Sequence, residues 1–157
     1  MAGFTAAGIS VTTVSTDQLA PLGFELTVPD GNNGAQVWVY VFNDETSDSF
    51  TAGMLIQRDD ATATYDGVIS TGAVSCERIL GVAQHTIAAG SYGFILKRGI
   101  GTILCDGNVT ANSGVCPDAR AGEATDVAAV TDTAVAVALA ADSGVGTSVS
   151  AMIMCRG

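Results

Sequence analysis

Between Leu80 and Asn108 the chain reads LGVAQHTIAAGSYGFILKRGIGTILCDGN, and glycines at 90, 93, 99, 101 and 107 interrupt runs that are otherwise apolar and strand-forming. Glycine at such intervals lets a sheet turn, bulge or admit a neighbouring backbone. Ala88-Ala89-Gly90 predicts a hairpin between strands at 78–87 and 91–97, and Asp106-Gly107-Asn108 ends a further strand at 100–105. This punctuation constrains the chain to an all-β fold, a single antiparallel β-sandwich or barrel.

The same grammar recurs elsewhere. Leu22, Phe24, Leu26 and Val28 alternate with Gly23, Glu25 and Thr27, the period-two pattern of a strand with one wet face. Pro29-Asp30-Gly31-Asn32-Asn33-Gly34 predicts a tight reversal. The partner strand, Ala35 to Phe42, is apolar on both faces, with Val37, Val39 and Val41 on one and Trp38, Tyr40 and Phe42 on the other, so both faces are expected to be buried and Trp38 and Tyr40 to be core. Residues 52–71 read as two short strands around Arg58-Asp59-Asp60, with Asp66-Gly67 as a turn signal. Residues 109–125, containing NSGVCPDARAGEAT, have the composition of a long surface loop suited to contact. The chain ends with an Ala- and Val-rich strand at 133–140, a turn at Asp142-Ser143-Gly144 and a strand in which Val149, Ala151, Ile153 and Cys155 alternate with Ser150, Met152 and Met154. Helix is expected to be scarce. Residues 1–20, rich in Gly, Ala, Ser and Thr with Ile9, Val11 and Val14 as regular apolar points, read as an extended N-terminal arm ahead of a β-domain at 21–157.

Charge narrows the partners. Sixteen acidic residues against six basic ones give a formal charge of -10, and Lys97 is the only lysine. Direct nucleic-acid binding needs clustered Lys and Arg that displace counterions, so it is not expected. No run approaches the roughly 20 apolar residues of a membrane span; the nearest, Val127 to Ala141, is short and broken by Asp132. Lys97-Arg98 is the one adjacent basic pair, placed at a predicted strand end, where it suits an electrostatic contact with an acidic neighbour.

No catalytic, metal or cofactor motif stands out. His85 is the single histidine and reads as a hydrogen-bonded residue in an apolar strand. NDETSDS at 43–49 lacks the central Gly and closing Glu of an EF-hand loop. The glycines of Gly99-Ile100-Gly101 and Gly144-Val145-Gly146 precede no helix and belong to strands and turns. Cys76, Cys105, Cys116 and Cys155 are too widely spaced for a zinc knuckle and read as buried thiols; a disulfide formed outside the cell is the rival, with Cys105 and Cys116, which flank a Gly- and Asn-containing loop, as the pair to test.

Two blocks, LGFELTVPDGNNGAQVWVYV at 22–41 and TIAAGSYGFILKRG at 86–99, resemble head decoration (cement) proteins of tailed bacteriophages. The resemblance implies a non-enzymatic virion protein, made in the host cytoplasm, that binds the outside of an assembled icosahedral head, commonly as a trimer, and reinforces it against internal DNA pressure. Its partners would be the major capsid protein and further copies of itself. On that reading Ile9, Val11 and Val14 of the arm, Lys97 and Arg98, and Asn112 and Arg120 of the 109–125 segment are the expected contact residues. The alternative is a tail, fibre or adhesin-like β-domain that binds a host-surface glycan, whose usual aids are exposed aromatics.

Overall fold

The computed structural model describes residues 5–6, 8–59, 63–72, 74–127 and 133–157. Residues 1–4 and 7 of the expected arm, Asp60 of the Arg58-Asp59-Asp60 turn and residues 128–132 of the Val127–Ala141 run lie outside the described residues. Among the described residues twelve strands run in the order β1 (Thr5–Ala6), β2 (Ile9–Ser10), β3 (Glu25–Pro29), β4 (Ala35–Asn43), β5 (Leu55–Arg58), β6 (Asp66–Ile69), β7 (Ile79–Val82), β8 (Tyr92–Cys105), β9 (Gly114–Pro117), β10 (Ala124–Asp126), β11 (Ala136–Ala138) and β12 (Thr147–Met154). Helix among the described residues is limited to single 3-10 turns at Gly31–Asn33 and Cys76–Arg78. The all-β expectation holds.

β1 and β2 form a two-stranded ladder, and the other ten strands form one sheet. Pairing is antiparallel except for two short parallel contacts, β4 with β6 and β10 with β8. Those contacts, with the β4–β8 ladder, close the sheet twice. One circuit runs β8-β7-β5-β6-β4 and returns to β8; the other runs β8-β12-β11-β9-β10 and returns to β8. Closure removes strand edges that would otherwise template pairing with other chains.

The 14-residue β8 is therefore the strand that both circuits share. The sequence predicts two strands here, at 91–97 and 100–105; the structure makes one, because the break is a bulge at Lys97, just before Gly99, within the strand. Val37 pairs with Arg98 but Trp38 with Leu96, so β8 holds one residue more than β4 at this point. Gly99 adopts φ +117, and a Cβ there would lie 2.9 Å from the Ala35 carbonyl oxygen, so only glycine fits without strain. The extra residue switches the buried positions of β8 from Phe94 and Leu96 to Ile103 and Cys105.

β4 is buried on both faces, as its composition predicts. Trp38 and Tyr40 join a core with Phe94, Leu96, Ile103 and the inward residues of β9 to β12, while Val39 and Val41 join a second core with Phe50, Ile56, Leu80, Ile87 and Ile95. The reversal at 29–34 forms as expected, closed by the Asp30 amide donating to the Gly34 carbonyl at 2.8 Å. β12 keeps strict alternation, with Val149, Ala151 and Ile153 inward.

Three further expectations need correction. Asp66-Gly67 is not a turn but the start of β6, where Gly67 lets Ile56 of β5 approach too closely for any Cβ. The 78–87 strand is only Ile79–Val82; the chain then leaves β8, and Ile87 bridges Phe50 instead. The 109–125 segment is not one loop: it holds β9 and the start of β10, which bury Val115 and Ala124. Strands this short carry too few residues to display a period, and their Gly and Pro content imitates a loop.

Candidate functional site

The bulge in β8 also positions the chain's basic residues. Lys97 and Arg98 lie in mid-strand, not at the strand end their spacing suggests, and β12 carries the chain back beside them to Arg156. Lys97, Arg98, Met154, Cys155 and Arg156 line a shallow depression of about 300 Å3. Three of the six basic side chains of an otherwise acidic chain thus converge at one place. Lys97 is committed: its Nζ sits 2.8 Å from Glu25 Oε1 on β3. Arg98 and Arg156 are exposed.

Beside the depression lies an apolar sheet face. Since Val149, Ala151 and Ile153 point inward, Met152 and Met154 point out, and they are 46% and 37% exposed. Met152 pairs with Ile100 on β8 and with Val137 on β11, so the three side chains stand in a row across neighbouring strands. Leu139, 43% exposed, lies beyond β11 on the same alternation. An outward row of apolar side chains ending in two arginines has the composition of a contact surface, with apolar area to bury and cations to set orientation. The alternation of the last strand is visible in the sequence; that its wet face carries methionines opposite Ile100 and Val137 depends on register, which the sequence reading did not reach.

The other expected contact residues are scattered. Val11 is buried in the core and Ile9 packs against it, while Val14 is exposed. The described part of the arm lies along the domain: Ser15 exchanges both main-chain hydrogen bonds with Tyr92, and the Leu19 amide donates to Tyr40 Oη at 3.1 Å. Val11 is therefore a packing residue of this chain and offers no surface to a partner. Asn112 is exposed in the turn before β9, with φ +65 and its amide donating to the Ala138 carbonyl. Arg120, in the turn between β9 and β10, is exposed and 3.8 Å from Glu123. Neither lines the depression at Lys97 and Arg98.

Cys105 is a buried thiol and forms no bridge to Cys116. Cys105 pairs with Ala124, whereas Cys116 pairs with the next residue, Thr125, so the two side chains leave their strands on opposite faces. Burial, reinforced by the carboxylates of Asp142, Asp106, Asp126 and Glu123, pushes the Cys105 thiol up to about 12 and keeps it protonated. His85 is pushed the other way: burial disfavours its charged form and lowers its pKa.

No protein-family model and no curated protein sequence matches the chain. Among solved structures, it is similar to the N base of the head fiber gp8.5 of bacteriophage phi29, with a TM-score of 0.53 over 75% of this chain and 93% of that one. Identity is 12%, so the likeness is one of fold alone.

Proposed function

We propose that this chain is a non-enzymatic structural protein of a tailed-phage virion that decorates the outer face of the head and docks through the β8–β12 face. The observation that carries the proposal is the fold held in common with the base of a phage head fiber, a protein named for its place on a head. The basic depression and the Met152–Ile100–Val137 row supply the contact chemistry, and the block resemblance at 22–41 and 86–99 points to the same kind of protein.

The physics of such a role is linkage. A protein that binds only the assembled shell stabilises that shell by the binding free energy summed over sites. Modest contacts suffice when several engage together around a symmetry axis. A homotrimer fits this arrangement, with the arginines of one copy facing acidic residues of the next or of the major capsid protein. The second reading, the base of a fibre that holds a distal binding element, is favoured by the neighbour itself, which is a fibre base.

Cryo-electron microscopy of the virion tests the proposal. Density on the outer face of the shell, with the β8–β12 face turned towards it, is the expected result. Density confined to the tail, or shells equally resistant to heat with and without the protein, refutes decoration. Density that continues outward into a fibre selects the second reading.

A further inference from the structure

A hollow of about 440 Å3 lies between the N-terminal segment and the sheet, within the size range of small-molecule sites. Its described lining includes Ser10, Thr12, Gln36, Trp38, Gln84 and His85. We propose that it binds a neutral saccharide.

The walls are held before any ligand arrives. Trp38 Nε1 donates to Gln36 Oε1 at 3.2 Å, and Gln36 Nε2 donates to the Ile100 carbonyl at 2.7 Å, which fixes the indole. Gln84 accepts from the Thr102 amide at 2.9 Å and donates to the Thr102 carbonyl at 2.9 Å. Both amide side chains are thus spent on rigidity, which lowers the ordering cost of binding. The uncommitted group is His85. Its Nε2 is buried and has no hydrogen-bond partner among the described residues, an unfavourable state for a polar atom.

The chemistry of that gap selects the ligand. A half-buried imidazole whose charged form is disfavoured by burial presents, when neutral, either a donor or an acceptor at Nε2 according to tautomer, and a hydroxyl satisfies both. Because Nε2 is closed to the hollow in this structure, the proposal includes a turn of the ring towards it. Ser10 Oγ and Thr12 Oγ1, 3.1 Å apart at the rim, add two more hydroxyl partners. The His85 ring and the edge of Trp38, which is only 5% exposed, with centroids 6.4 Å apart and planes 33° from parallel, give the hollow an apolar border for the C–H groups of a pyranose. No charged side chain belongs to the described lining, and the net charge of -10 repels anions, so an acidic sugar is disfavoured. The hollow shares no lining residue with the basic depression, so the inference stands apart from the docking proposal.

The chain carries its own reporters, one tryptophan and one histidine, both in this wall. Titration of the full chain with glucose, galactose and N-acetylglucosamine, with glucuronate as the charged control, is followed by tryptophan fluorescence and by the NMR signals of the single imidazole. A saturable response of both reporters to at least one neutral sugar at millimolar concentration, with none to glucuronate, is expected. His85→Phe should weaken that binding about tenfold, the loss of one buried hydrogen bond. Silence of both reporters up to the solubility of every sugar overturns the inference, as does glucuronate binding as tightly as the neutral sugars. A folded His85→Phe that binds like the parent chain overturns it too. Should His85→Phe not fold, the imidazole signals of the unaltered chain decide between these outcomes.

Discussion

The N-terminal and C-terminal strands bring different materials to one shared core. No aromatic residue follows Phe94, so every Trp, Tyr and Phe belongs to the N-terminal part of the chain. There Tyr40 packs on Phe94 with centroids 4.9 Å apart and lies parallel to Tyr92 at 6.1 Å, and Phe42 meets Tyr92 at 4.8 Å. To that same core the C-terminal strands bring Val115, Ala124, Val135, Ala136, Ala138, Val149, Ala151 and Ile153. Large rings stabilise by area and leave cavities when removed, whereas methyl-sized residues let strands lie close and leave no space for growth. One chain thus uses two packing regimes. The bulge beside Gly99 keeps β8 turned to the shared core, with Phe94 and Leu96 before it and Ile103 and Cys105 after it.

The comparison would break first at the aromatics. Trp38→Ala and Phe94→Ala should each cost about 3–5 kcal/mol. Chemical denaturation of the two variants, beside Ile153→Val on β12 at about 0.5–1.5 kcal/mol, measures the contrast directly. Equal losses would mean that ring area does not set the stability of the aromatic part of the core.

Ala151→Leu probes the opposite failure. Ala151 is fully buried between β8 and β11, opposite Gly101 and Ala138. Added methylenes there should cost about 1–3 kcal/mol through overpacking. A neutral result by thermal denaturation would show that this part of the core is looser than its methyl-sized side chains imply.

A smaller effect is expected at the bulge. Lys97→Met removes the ion pair with Glu25, whose carboxylate side chain is 39% exposed, and should change stability by about 0.2–1 kcal/mol at low salt and less at high salt. A loss several times larger would make the pair the anchor of β3 rather than a surface contact.

The smallest shift concerns pH. Burial lowers the His85 pKa below its ordinary value of 6.5, so its contribution is fully present above 6.5 and is lost as pH falls towards the folded value, where the unfolded chain takes up the proton first. Asp66, raised by burial and by the nearby Asp44 and Asp59, acts with the opposite sign: its contribution is complete below 3.8 and lost as pH rises. Subtracting the pH profile of His85→Phe from that of the parent chain removes the Asp66 part. A remaining difference that grows as pH drops below 6.5 is the expected result.

Local pattern and global closure divided the work. Alternation in 22–28, in 35–42 and in 149–155, with turn residues between, was enough to establish a β-domain with Trp38 and Tyr40 inside, because a period of two and a Pro-Asp-Gly turn are properties of a few adjacent residues. The same locality explains the misses. β9 and β10 have four and three residues, too few for a period, and exist because Ala136 and Cys105 offer them partners far along the chain. Lys97-Arg98 was legible as a lone basic pair, but Arg156 joins it only because β12 runs antiparallel to β8 over eight paired residues. His85 and Trp38 were legible one at a time, and their common wall depends on where the N-terminal segment lies. Residue type and period are written in the sequence; register, closure and the faces that meet are decided by which distant strands can pair without leaving backbone groups unsatisfied.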